Sequence, residues 1–417
     1  MAAGRPQPAP SLLPLLPVYI VIFIGFVGYS LMITVFTPML MYAHNGMLST
    51  HSRMSHRTIM LGLLLSLYPL GQLVGSPVLG GLSDRYGRRR TLLVSLTITT
   101  VCYALIGTAL YLQSLEMLMA VSLIAGVAEG NVVIAQSAIA DLTTADTRTR
   151  LFGYIYLSAS MAYVVGPLVG GKLADSSLVP WFDYATPFWA VFGLLVLTLL
   201  WTAIAFRETH PRRLRGYVER GSALDSLAQA LNDPHLRPRY LANFLLYLAI
   251  YGFFRSYPMF LVDQFRLNVS RVSEFVAWVA VPIVLANLWL TDFVARRATS
   301  ERIVVVSGAL TGVFMIAVTV PPQVDALWIT LFLTGLALAI CLPACASMIS
   351  NAASPSEQGQ VMGSNQALQV GAEALSGGFG GLLAAIVVPL PLIVFALFGI
   401  FAAALLAWFL RQPAPEE

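Results

Sequence analysis

Apolar runs alternate along this chain with short breaks that hold its charges and turn residues. Twelve runs are legible, at 17–42, 59–82, 91–112, 116–141, 151–173, 186–206, 240–262, 273–295, 302–320, 326–350, 358–386 and 388–410. Each is close to the length of about 20 residues that a helix needs to cross a bilayer. Some neighbours are split by only a few residues, as at LQSLE (112–116) and VPLPL (388–392). Lipid offers no partner to backbone polar groups, so the runs predict helices: an all-α membrane protein with twelve transmembrane helices.

The longest break, 207–239, divides the runs six and six. The expected organisation is a tail at 1–16, a six-helix bundle at 17–206, a linker at 207–239, a second six-helix bundle at 240–410 and a tail at 411–417. An internal repeat supports the division. At an offset of 210, Gly153 falls on Gly363, Ala162 on Ala372 and Gly170-Gly171 on Gly380-Gly381. At 208, Asp84 falls on Asp292 and Arg88-Arg89 on Arg296-Arg297. Matching halves of a twelve-span chain are the signature of a transporter whose halves rock against each other.

Charge sets the orientation. Of the 24 lysines and arginines, 18 fall in the segments that are cytoplasmic if both termini are, and 5 in the opposite loops. Both termini are therefore expected inside. Only 11% of the chain is charged and 58% is hydrophobic, which excludes a water-soluble domain. The basic clusters lie between apolar runs, so they read as membrane anchors against lipid headgroups and not as a nucleic-acid surface. The start of the chain is too proline-rich for a signal-peptide core. Cys102, Cys341 and Cys345 all lie within apolar runs and read as buried small hydrophobes. His44, His51 and His56 share one outer loop, where they could bind metal or sense external pH, although isolated loop histidines more often have no special role. No metal, cofactor or ATP-binding loop is expected, and no convergent nucleophile–base set suggests an enzyme.

GLSDRYGRRR (81–90) joins the second and third runs, and MAYVVGPLVGG (161–171) lies in the fifth. The first resembles the signature loop of the major facilitator superfamily, with Gly81, Asp84, Arg85, Gly87, Arg88 and Arg89 in place. The second resembles the antiporter motif of its drug:proton branch, with Ala162 where a glycine is usual. Residues 140–153 and RETH (207–210) are similar to the tetracycline-efflux group. The resemblance implies the major facilitator fold. It also implies a cytoplasmic latch, in which Asp84 sits near the start of the eleventh helix and Arg88 bridges to Asp141. The alternative is that these arginines only anchor the topology. Gly166, Pro167, Gly170 and Gly171 are expected to bend the fifth helix and to allow close packing; in the family this motif accompanies export. Two departures stand out. Ser122 takes the place of the usual fourth-helix arginine, and the first helix carries no charge.

Three ionisable residues fall deep in the runs: Glu129, Arg255 and Glu373. A charge at mid-membrane costs about 2.5–3.5 kcal/mol, so each is a functional candidate. In the resembled fold the first, fourth, seventh and tenth helices line the cavity, which would put Glu129 and Arg255 on the translocation path. Desolvation favours the protonated acid and a nearby arginine the carboxylate, so a balanced acid can take up and release protons. Glu129 is the first choice for proton coupling and Glu373 the second. Arg255 presents a fork suited to carboxylate or phosphate; the competing reading is a structural Arg–Glu pair. Asn243, Tyr247 and Tyr251 recur at helical spacing before Arg255 and make a polar stripe. Tyr29, Asn131, Asn287, Gln366 and Gln369 complete the candidate substrate site.

The expected activity is proton-coupled secondary transport of a small organic compound by a monomer in the bacterial inner membrane. Efflux of a drug-like or anionic amphiphile leads. Import of an organic anion such as a carboxylate siderophore is the alternative, and a non-transporting receptor is a third.

Overall fold

The computed structural model describes residues 16–42, 47–142, 145–209, 236–352 and 358–411. Among them lie thirteen helices: α1 (Leu16–Met41), α2 (Met54–Tyr86), α3 (Arg88–Tyr111), α4 (Leu115–Ala128), α5 (Asn131–Asp141), α6 (Ala145–Leu173), α7 (Thr186–Ala205), α8 (Arg237–Phe265), α9 (Val269–Ala295), α10 (Ser300–Val318), α11 (Ala326–Ala352), α12 (Gln358–Ile386) and α13 (Leu390–Phe409). Among the described residues, ten spans are long and apolar enough to cross a membrane, with Leu115–Asp141 taken as one. The helices α6 and α12 are each 29 residues long and richer in glycine and polar side chains.

Two boundaries differ from the sequence reading. The fourth run is two helices, because the chain leaves the helical ladder at Glu129 and Gly130, where ψ relaxes to about −2° at both. The segment 81–90 is hardly a loop at all. The α2 helix continues through Tyr86 and α3 begins at Arg88, so Gly87 alone makes the turn, at φ 99°. That left-handed backbone is one a side chain would strain.

Helices α1–α7 pack among themselves, with α1 along α6 and α2 along α4, and so do α8–α13, with α8 between α12 and α13. The two groups meet where α2 lies along α12, α6 along α9 and α1 beside α8. Towards one end the groups are tied together. Tyr42 donates to the Leu267 carbonyl at 2.7 Å, and Lys172 reaches both Ser270 and Glu274 at 2.6 Å. Asn268 donates to Asp175, and the Gly378 N–H donates to Ser66. Arg57, read from the sequence as a loop charge, is buried there and donates to the carbonyls of Leu40, Tyr42, Ser49 and Ser52. It thereby neutralises the C-terminal end of α1.

Towards the opposite, Gly87 end, α9 is uncovered. Leu285, Leu288, Trp289 and Phe293 are all exposed, and so is Asn287. Asn287 stands four helical turns from Ser273, on the face that meets α6. Gln366 is likewise exposed although it shares a face of α12 with Glu373, opposite the exposed Leu375. Both amides therefore border a cleft between the two groups, open towards the Gly87 end.

Close helix crossings hold the first group together. A side chain added at Gly126 would strike the backbone of Tyr68, and one at Gly75 the backbone of Val127. Small residues at such crossings let backbones pack without lipid between them. Gly126→Leu should push α2 from α4 and cost about 1–3 kcal/mol, the usual range for overpacking. Thermal unfolding in detergent should read this as a clear drop in midpoint, whereas Gly193→Leu, where an added Cβ meets open space, should leave the midpoint in place.

Candidate functional site

Arg255, on α8, is 1% exposed. Its Nη2 donates to the Tyr29 hydroxyl at 2.6 Å and to Glu373 Oε1 at 3.3 Å. Tyr29, on α1, in turn donates to the same carboxylate oxygen. The knot therefore joins α1 of the first group to α8 and α12 of the second. Arg255 Nε is buried without a hydrogen-bond partner. A guanidinium donor left free inside protein is a poised anion contact, because an unmade bond there costs more than in water.

The rest of the α8 stripe is zipped onto α12. Tyr247 accepts from Asn365, Tyr251 accepts from Gln369, and Arg255 pairs with Glu373, each pair being 118 residues apart. Asn243 adds bonds to Asn365 and to the Cys345 carbonyl. The two helices run parallel and repeat their polar residues every four positions, so the bonds recur turn by turn. Tyr247 and the Asn243 amide nitrogen are thus engaged in helix pairing, while Asn243 Oδ1 is buried without a partner. Tyr251 and Gln369 are half-buried, while Gln366 and Asn287 are exposed along the cleft. Asn131 opens α5, buried, with its side-chain oxygen unpartnered.

The structure also separates the two acids. The partner of Arg255 is Glu373, and Glu129 stands apart from the knot. Glu129 is 2% exposed, and both its carboxylate oxygens lack hydrogen-bond partners. It is turned into the first group, against Gly25 of α1 and beside Tyr68 of α2. The bare backbone at Gly25 leaves the room that the carboxylate occupies. Glu129 therefore faces the interior of the first group and has no balancing arginine beside it among the described residues.

At the Gly87 end Arg88 is nearly buried. Its Nε donates to Asp141 at 3.0 Å, and its Nη1 donates to Ser83 at 2.6 Å and also pairs with Asp84. The Arg88–Asp141 contact is the expected one. Asp84 pairs with Arg88 across the Gly87 turn between α2 and α3, and 46% of its side chain is exposed. The start of α12, where Asp84 was expected to contact, falls on residues whose side chains lie outside the described set. Arg85 is exposed against the Tyr86 ring, and Gly81 has open space around it. Arg89 donates to the carbonyls of Ala203 and Phe206 at the end of α7.

One residue in this network was overlooked in the sequence. Glu208 accepts the backbone N–H groups of Arg88 and Arg89 at 2.8 and 3.2 Å, and it lies where any side chain on Gly87 would go. A carboxylate at a helix N-terminus meets free N–H groups and the positive end of the dipole. The available signal was an acid placed at the end of a span, within RETH. The second-half copy is weaker: Asp292 is exposed and forms no ion pair among the described residues, and Arg297 stacks on Phe293 at 3.5 Å.

In α6, Gly166 lies against Val27 and Ser30 of α1, Gly170 against Leu31, and Gly171 against Ser273 of α9. Pro167 is carried within the helix. The motif thus packs α6 between the two groups. His51 and His56 are exposed, and His44 lies outside the described residues.

The model of the Major Facilitator Superfamily matches residues 18–322 and 239–417. The chain belongs to the major facilitator superfamily. Within it the chain is 29% identical, over 74% of its length and 75% of the relative's, to the Escherichia coli tetracycline resistance protein, class C. It is 25% identical to mouse major facilitator superfamily domain-containing protein 10, over 72% of this chain and 68% of that one. Among solved structures, an inward-facing, occupied bacterial homologue of the human lysosomal transporter Spinster superposes with TM-score 0.78 at 15% identity, covering 99% of this chain and all of that one. The chain is a multi-pass membrane transporter of this superfamily, and it resembles the tetracycline resistance branch.

The knot carries a stability prediction. Removing one partner of a buried ion pair typically costs about 3–5 kcal/mol, whereas replacing both by apolar residues is close to neutral. Glu373→Ala should therefore lower the unfolding midpoint strongly, and Arg255→Met with Glu373→Leu should restore most of it in the same detergent assay.

Proposed function

We propose that this protein is a proton-coupled secondary transporter that moves a small organic anion or anionic amphiphile by alternating access. The observation that carries this reading is the Arg255–Glu373–Tyr29 knot, a buried cation with a spare donor where the two helix groups meet. In this reading α6 and α12 complete twelve spans, and the bundles are 17–206 and 240–410, with tails at 1–16 and 411–417 and a linker at 207–239. Both termini are cytoplasmic, and the protein is a monomer in a bacterial inner membrane. Arg255, Tyr29, Tyr251, Gln369, Gln366 and Asn287 contact the substrate. Glu373 and Glu129 carry protons. Asp84, Arg85, Gly87, Arg88, Arg89 and Asp141 form the gate at the Gly87 end, and Gly166, Pro167, Gly170 and Gly171 the pivot of α6.

Efflux is supported by the similarity to tetracycline resistance proteins. The anion class is supported by Arg255 and by the likeness to a solved structure described as the human organic anion transporter MFSD10 (TETRAN), at TM-score 0.70 and 19% identity. Uptake remains a second reading because of one feature of the knot. Protonating Glu373 would release Arg255 to an anion, so proton and anion would load together.

Purified protein in proteoliposomes with an imposed pH gradient distinguishes the two. Efflux requires a labelled anionic amphiphile to move against the proton flow, and uptake requires both to move together. In either case Arg255→Ala should weaken substrate affinity about tenfold or more, in line with loss of about 1.5–3 kcal/mol for a bond to a charged group. If affinity is unchanged, Arg255 is structural. Glu373→Gln should leave substrate exchange without a gradient intact and abolish its acceleration by one.

A further inference from the structure

The first helix group carries a cavity that the transport reading does not use. It lies at the end opposite Gly87, where the α1–α2, α3–α4 and α6–α7 connections meet, and its volume is about 260 Å³. Met39, which lines it, is ten residues beyond Tyr29 on α1, so about 15 Å of helix separates the cavity from the knot. The floor includes Met39 and Met47, both buried. The rim is made by Tyr111, Gln113, Tyr184 and Asp183, all exposed except the half-buried Tyr184.

One charged side chain lines this cavity, and it is negative. Asp183 Oδ1 accepts the N–H groups of Ala185 and Thr186 at 3.0 and 2.8 Å and the Thr186 hydroxyl at 2.8 Å. These bonds fix the carboxylate at the start of α7. Its other oxygen, Oδ2, accepts no hydrogen bond among the described residues. Among those residues no lysine, arginine or histidine lines the cavity, so the carboxylate has no counter-charge within it.

The walls narrow the kind of cation that fits. A primary ammonium brings three N–H donors, and the thioethers beneath Asp183 are weak acceptors. A methylated ammonium has no donor to satisfy. Its charge is spread over methyl groups, which pack well on tyrosine rings and on methionine. The volume falls just under the roughly 300–1,000 Å³ of pockets for drug-sized ligands, so the occupant is smaller. A lipid headgroup would add a phosphate, which meets Asp183 as a like charge and finds no basic partner. These features favour a free compound.

We propose that this cavity binds a small, free quaternary ammonium compound, with Asp183 Oδ2 as its counter-ion and Tyr111, Tyr184 and Met47 as its walls. The site takes the charge opposite to the one Arg255 attracts, and it stands outside the cleft. Its occupant touches α1, α3 and the start of α7 together. It braces the first group at the same end where Tyr42 ties that group to Leu267.

Calorimetric titration of the full chain in a maltoside detergent with choline chloride tests this, sodium chloride holding the ionic strength fixed. Choline should bind saturably, and its uncharged tert-butyl isostere about tenfold more weakly, the scale of one near-surface ion pair. Asp183→Asn keeps an oxygen to cap α7 and removes the charge. Its unfolding midpoint should therefore stay in place while choline affinity falls about tenfold. Tyr111→Ala alters an exposed side chain and should weaken choline about threefold. Absence of saturable choline binding, equal binding of the isostere, or wild-type affinity in both variants would each overturn the site. Binding of short-chain phosphatidylcholine without binding of choline would assign the cavity to a lipid headgroup and overturn the free compound. No transport or anionic substrate enters, so the outcome is independent of whether Arg255 proves to be the anion contact.

Discussion

A guanidinium in the middle of a membrane protein must be neutralised on the spot, and the way Arg255 is neutralised governs how the two helix groups sit. Glu373 supplies the charge from α12, and Tyr29 supplies the third contact from α1. Because Tyr29 belongs to the other group, the ion pair doubles as a cross-group tie. It cannot be rearranged without moving α1 relative to α8 and α12. Above it, towards the Tyr42 end, Lys172–Glu274 and Tyr42–Leu267 reinforce the same closure. Below it, α9 is uncovered and the amides of Gln366 and Asn287 face open space. The knot thus stands at the boundary between the closed and open parts of one cleft.

The parallel ladder between α8 and α12 explains why the arginine is tolerated. Each turn satisfies one pair of polar groups before the next is reached, so Arg255 enters a prebuilt polar seam and no lipid-facing surface is asked to hold it. The same seam limits what is left over for a ligand. Tyr247 is spent on Asn365, whereas Asn243 keeps Oδ1 free, Arg255 keeps Nε free and Tyr251 stays half-buried.

Much of this was legible in the sequence because lipid is an uncompromising solvent. Ten of the twelve expected spans could be read from apolar length alone, and the Arg88–Asp141 contact from the resemblance of GLSDRYGRRR. The single-residue turn at Gly87 was legible only in part, since nothing in the pattern says that α2 continues through Asp84 to Tyr86. The sequence left open which acid Arg255 meets, because two mid-membrane acids were available and the choice depends on how α4 and α12 are rotated about their axes. A clue existed: Asn365, Gln369 and Glu373 repeat every four residues, in step with Tyr247, Tyr251 and Arg255. Two stripes with one period can zip, and Glu129 belongs to neither. Glu208 was missed for another reason. Its role depends on the backbone N–H groups at the start of α3, and no side-chain pattern reports where those will point.

The two buried acids sit in different surroundings. Glu373 is held by Arg255 where the two groups meet, while Glu129 is enclosed within the first group beside Tyr68, whose ring stacks on Tyr29. The glycines at positions 25 and 28 are what make this enclosure dense enough, because side chains there would displace the very oxygens that form it. The packing of the first group and the burial of its acid are therefore one constraint: the helices must cross closely for Glu129 to be enclosed.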